Sequence, residues 1–130
     1  MESITAQIGK DRYTTTIMAR KHHLISDEPE EMGGQDLGFA PQELFAAALA
    51  SCTIITLRMY ADRKGWDVES IAIDVTFDRD AAANVTRLER KIEFTGNLDQ
   101  TQKERLKVIA NSCPIHKTLT NPIEITTTVQ

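Results

Sequence analysis

The chain has 130 residues, one domain's length, with 41% apolar and 26% charged residues; that balance excludes disordered, collagen-like and coiled-coil classes. Seven aromatic residues leave the core to be built mainly from Ile, Leu, Val, Met and Ala. The net charge of −4 argues against a nucleic-acid partner, because affinity for a phosphate backbone comes from clustered Lys and Arg.

No run of 18 apolar residues occurs, so no membrane partner is expected. The opening residues MESITAQIGKDRYTTT lack the apolar stretch of a secretory signal. The expected location is therefore cytoplasmic, where thiols are kept reduced, and a permanent Cys52–Cys113 staple is not expected.

Residues 1 to 25 read as strands forming a hairpin. Ile4, Ala6 and Ile8 alternate with polar residues, Gly9-Lys10-Asp11 supplies the turn, and Tyr13 to Met18 is rich in Thr, Ile and Tyr. Ser26 to Ala40 has loop composition and is long enough for a functional or partner-covered loop.

Pro41 then opens the strongest element. Gln42 to Lys64 contains neither Pro nor Gly, Pro41 suits a first helical position, and Gly65 supplies the stop after Arg63 and Lys64. Such a helix runs to about 35 Å. Its first part, LFAAALASCTIITL, is apolar almost all round, which predicts burial on several sides. A domain of this size wraps so long a helix poorly, and a second subunit is the simplest cover.

Val68 to Asp78 and Leu88 to Thr95 read as a second hairpin, with a shift in alternation near Glu69. Asp99 or Thr101 caps a helix reaching to about Ser112. Cys113-Pro114 breaks it, a short helix IHKTLT follows, and Ile123 to Val129 reads as a last strand. The order ββ–α–ββ–α–α–β is an α+β layout in a single domain, residues 1–130, with no phosphate-binding βαβ loop.

The chemistry rests on the two thiols. Cys52 sits among apolar helical residues with no charged sequence neighbour, so local evidence weighs a reactive thiol equally against a small buried hydrophobe. A cation for it has to come from elsewhere in the fold, with Arg20, Arg58 and Arg63 the nearest by sequence. Cys113 precedes Pro114 at a helix start, with His116 and Lys117 within a turn; that position favours a thiolate. Cys113 and His116 with Cys52 and His22 or His23 make a weak zinc set, and a Cys–His hydrolase lacks a nameable oxyanion hole. No metal and no cofactor is expected. Glu43, nine positions before Cys52, falls on the opposite face of a continuous helix at about 100° per residue. It also suits a helix N-terminus on electrostatic grounds alone.

The run GGQDLGFAPQELFAAALASCTIITLRMYADRKGW, residues 33–66, followed by IANSCPIHKTL, residues 109–119, resembles the OsmC/Ohr superfamily of osmotically inducible and organic-hydroperoxide-resistance proteins. The patterns P-x-E-L-x-x-A-A-L-x-S-C-T and C-P-[IV]-H-K-T-L occur in order, and the DEP…GG loop before them looks like the OsmC-like branch. The resemblance implies antiparallel strands packed around a long central buried helix in an interlocked homodimer. It implies an enzyme, a peroxiredoxin-type organic hydroperoxide reductase active in stress response. Cys52 would attack the peroxide and become a sulfenic acid, and Cys113 would condense with it to a disulfide. A dithiol reductant, lipoyl-type or thioredoxin-like, would then reopen the pair. An arginine from the N-terminal region, best matched by Arg20 on a strand before the DEP loop, and a glutamate would hold the thiolate. The Ohr-branch glutamate position is Gln42 here, whereas Glu43 fits the OsmC-like branch. The competing reading is a non-enzymatic module on the same dimer that binds a small molecule or senses redox state.

Overall fold

The computed structural model describes residues 2–130. The chain divides into two compact units, one reaching to Phe45 and one spanning Ala46–Gln130.

Three antiparallel strands form the first unit's sheet: β1 (Thr5–Ile8), β2 (Thr15–Ala19) and β3 (His22–Ser26), in the order β1-β2-β3. The sequence pattern predicts a hairpin where a three-stranded meander exists. The second turn is only Arg20-Lys21, between the paired Ala19 and His22, with Arg20 in the left-handed region at φ 55. Neither residue is a Gly, Asn or Asp, so the usual mark of a two-residue turn is missing. Arg20 therefore lies in an exposed turn and not on a strand.

The segment between β3 and the long helix is organised by Asp27, which is only 2% exposed. Its carboxylate accepts the backbone N–H groups of Tyr13 (2.9 Å), Glu28 (2.8 Å), Leu37 (3.3 Å) and Gln35 (3.5 Å), and the Thr14 hydroxyl (3.3 Å). Gly34 passes so close to the Glu28 carbonyl and the Asp27 side chain that a Cβ would collide with both.

Helix α1 spans Pro41–Lys64. Pro41 presets the first turn, and Glu43 reaches back so that its Oε1 accepts the Ala40 N–H at 2.8 Å. Gly65, at φ +68, ends the helix. Leu49, Thr53, Leu57 and Ala61, each four residues apart, form its buried stripe. The expected burial on several sides is not met within the chain: Ile55 and Met59 are 51% and 63% exposed. One domain this small covers only one face of so long a rod. Over its most apolar stretch α1 has a mean hydropathy of 1.6, long and apolar enough to cross a membrane by length and composition, a test that a core helix also passes.

In the second unit, β4 (Asp67–Asp80) and β5 (Val85–Asn97) pair as an antiparallel hairpin. The register shifts between Val68 and Ser70, where the sequence alternation slips. Helix α2 (Gln100–Ala110) carries a capping box in which Asp99 Oδ1 accepts the Gln102 N–H (2.7 Å) and Gln102 Oε1 accepts the Asp99 N–H (2.9 Å). Leu57, Leu106 and Ala110 are the buried centre of this unit, with Trp66, Ile71, Ile92 and Phe94 packed around them. Helix α3 spans Pro114–Leu119. The predicted last strand is absent: residues 122–130 take no regular structure, and Ile125 and Val129 are 85% and 90% exposed. Its alternating pattern is real, but among the described residues no sheet edge pairs with it.

Candidate functional site

Helix α1 and the junction between α2 and α3 bring the two cysteines together. Both are free; Cys113 is fully buried and Cys52 half-buried. Cys113 occupies the N-cap of α3, and its sulfur accepts the His116 N–H at 3.4 Å. Pro114 follows because the first helical position needs no N–H donor, which leaves the later amides aimed at the sulfur.

The Cys52 and Cys113 thiols are neighbours, and their interaction pushes the two acidities apart. Burial pushes Cys52 up from its ordinary 9.0. The interaction with the Cys113 side chain and the charge on Cys113 push the same way, against the Ile115 N–H and the Thr56 hydroxyl. Burial raises Cys113 too, but the Cys52 side chain, the His116 N–H, the Thr53 hydroxyl and the Ile115 N–H together hold it below 9.0. The first proton therefore leaves Cys113. The expectation that Cys113 is the more acidified thiol agrees with this geometry.

Beside the pair lies a group that sequence reasoning missed. Arg90, on β5, is half-buried and donates from Nη1 to Thr53 Oγ1 (3.0 Å) and the Ala110 carbonyl (2.9 Å). Its Nη2 meets Asn111 Oδ1 at 2.9 Å and His116 Nδ1 at 3.1 Å. Since a guanidinium only donates, His116 Nδ1 accepts, and a neutral imidazole there carries its proton on Nε2. A cleft of about 350 Å³ adjoins this network, lined by Leu49, Leu88, Arg90, His116 and Leu119 among others. The available signal was weak: an arginine at an inward-facing position of an otherwise alternating strand, LERKIEF.

The other expected residues are engaged elsewhere. Glu43 caps α1 through Ala40, Arg20 sits in the β2–β3 turn, and Arg58 pairs with Asp62 (3.2 Å) and the Glu69 carbonyl (3.3 Å). Arg20 and Glu43 belong to the first unit, the cysteines to the second. Among the described residues no group of three or more His, Cys, Asp or Glu is placed to hold a metal ion.

A family model described as OsmC-like protein matches residues 33–128, most of the chain and both cysteine motifs. The chain belongs to the OsmC/Ohr superfamily. No curated protein matches the sequence. Among solved structures, this OsmC-like chain is similar to an OsmC-like protein from Mycoplasma pneumoniae at 23% identity, with a TM-score of 0.79, over 92% of this chain and 87% of that one. An organic hydroperoxide resistance protein OsmC from Legionella pneumophila matches at 22% identity and a TM-score of 0.66, over 92% and 88%. The organic hydroperoxide resistance protein OhrB of Bacillus subtilis matches at 21% identity and a TM-score of 0.61, over 91% and 89%. At these identities the likeness is one of fold: a mixed α+β chain with antiparallel sheets and one long helix.

Proposed function

We propose that this OsmC-like protein is a thiol-dependent peroxidase that reduces organic hydroperoxides in oxidative-stress defence, acting in the cytoplasm as a homodimer. The observation that carries this reading is the neighbouring pair of free cysteines, one half-exposed and one fully buried. The names of the Legionella and Bacillus structures point the same way.

In the proposed cycle the Cys52 thiolate attacks the outer peroxide oxygen. The O–O bond breaks, the alkoxide takes a proton and leaves as the alcohol, and Cys52 becomes a sulfenic acid. The Cys113 thiolate then attacks the Cys52 sulfur, forming the disulfide and releasing the hydroxyl group as water with one proton. A dithiol reductant (lipoyl-type or thioredoxin-like) supplies two electrons and two protons and restores both thiols. Cys113, held as the more acidic thiol, is suited to the second step. Cys52 needs a cation for the first, and Arg20 with Glu43 is the pair assigned to it. The exposed apolar side of α1 supports a second copy as its cover.

One specific observation favours the alternative of a binding or redox-sensing module: Cys52 lies above its ordinary acidity range in the chain alone. Steady-state loss of cumene hydroperoxide against hydrogen peroxide, with dihydrolipoamide as reductant, decides between them. The enzyme reading expects preferential loss of the organic peroxide. No loss above the reductant alone, from protein whose thiols titrate as free, selects the module.

A further inference from the structure

We propose that Arg90 is a positioning residue for the Cys113 sulfur, acting through Thr53 and His116. The assignment rests on the reading of Cys113 as the second redox thiol.

Four hydrogen bonds from one guanidinium tie together every helix that surrounds that sulfur. Thr53 lies on α1, Ala110 and Asn111 close the end of α2, and His116 lies on α3. Cys113 sits inside this frame, fully buried, with its sulfur fixed from the α3 side by the His116 N–H. Turning α3 or sliding the end of α2 would break bonds to the same side chain, so the frame moves as one piece or not at all.

The contact through Thr53 is the chemically sharper one. Thr53 is fully buried; its hydroxyl oxygen accepts from Arg90 at 3.0 Å and its proton is given to the Leu49 carbonyl at 2.7 Å, while the hydroxyl also favours the neighbouring Cys113 thiolate. A hydroxyl has one proton to give. With Cys113 as a neutral thiol the proton lies on Leu49; with Cys113 as a thiolate, rotation about the C–O bond delivers it to sulfur. Arg90 polarises the hydroxyl in both settings, so its charge reaches Cys113 without direct contact. The titratable groups facing Cys113 are Cys52 from α1 and, through this frame, Arg90 from β5 and His116 from α3.

The test reads Cys113 alone, in a Cys52→Ser background, as the ultraviolet absorbance of its thiolate against pH. Arg90→Met and Thr53→Val are each expected to raise the titration midpoint by about one unit, a tenfold loss of thiolate at a given pH on the acid side of the midpoint. The double variant is expected to move little beyond Arg90→Met, because the two act in series. Arg90→Lys is expected to fall between. A folded Arg90→Met protein that titrates like its parent overturns the proposal; if that variant does not fold, an unshifted Arg90→Lys overturns it instead. The readout needs no peroxide. A protein without hydroperoxide activity but with a shifted Cys113 therefore loses the peroxidase reading and keeps this one, and the reverse result does the opposite.

Discussion

Cys52 and Cys113 lie side by side, and their interaction pushes the two acidities apart, Cys52 up and Cys113 down. The buried cysteine thus becomes the acid and the half-exposed one keeps its proton, although burial alone would predict the reverse.

The two thiols are expected to move in opposite directions when either is removed. Cys52→Ala takes that interaction from Cys113 and raises its midpoint. Cys113→Ala removes both that interaction and a like charge from Cys52, whose midpoint falls while burial still holds it up. Ultraviolet titration of the two single-cysteine proteins checks both signs. Shifts of the same sign in both would show that the thiols do not push each other apart.

Turnover separates the roles assigned to the pair. Cys52→Ser is expected to abolish catalytic hydroperoxide loss. Cys113→Ser is expected to consume about one peroxide per protein and leave a sulfenic acid, since the thiol that would condense with it is gone. Trapping with dimedone and mass measurement of the Cys52 peptide checks this. Continued turnover in Cys52→Ser would remove that residue from the attacking role.

How much of this was legible in the sequence depends on how local each cause is. The span of α1, the Asp99 cap, the slip near Glu69 and the helix start at Cys113-Pro114 are written in neighbouring residues, and the structure follows them. The Arg20-Lys21 turn was not legible, because its chain reversal is made by residues that carry no turn signal. The Ile123–Val129 strand failed for the opposite reason: alternation states a preference, whereas a strand needs an edge to pair with. Arg90 leaves only a weak mark in the sequence, since its partners at Thr53, Ala110, Asn111 and His116 come together only in three dimensions.

Asp27 gives the N-terminal unit a defined response to acid. Burial pushes its carboxyl up, but the N–H groups of Tyr13, Glu28, Leu37 and Gln35 outweigh that and hold it below 3.8. A carboxyl lowered by folding contributes stability that is complete above its unfolded value and is lost as pH falls through the folded one. Asp27→Asn is therefore expected to loosen the 27–40 segment at neutral pH, and the gap from the parent should close in acid below 3.8. Amide exchange at Tyr13 and Leu37 measures it. A gap independent of pH would show that the carboxylate's charge plays no part.

The two sides of α1 should respond to mutation in different assays. Leu57 is fully buried against Leu106 and Ala110, so Leu57→Ala opens a cavity at the centre of the second unit. Its cost is about 2–5 kcal/mol, read as a fall in the unfolding midpoint. Ile55 and Met59 lie half or more exposed on the same helix, where a charge meets water and nothing in the chain has to be displaced. If a second copy covers this side, as the proposed homodimer requires, burying an unpaired carboxylate there is strongly unfavourable. Met59→Glu is then expected to shift the protein from dimer to monomer in sedimentation while its secondary structure persists, and to reduce peroxidase turnover in step with the monomer fraction. A parent that sediments as a monomer, or a Met59→Glu protein that stays dimeric, would remove this side of α1 from the interface.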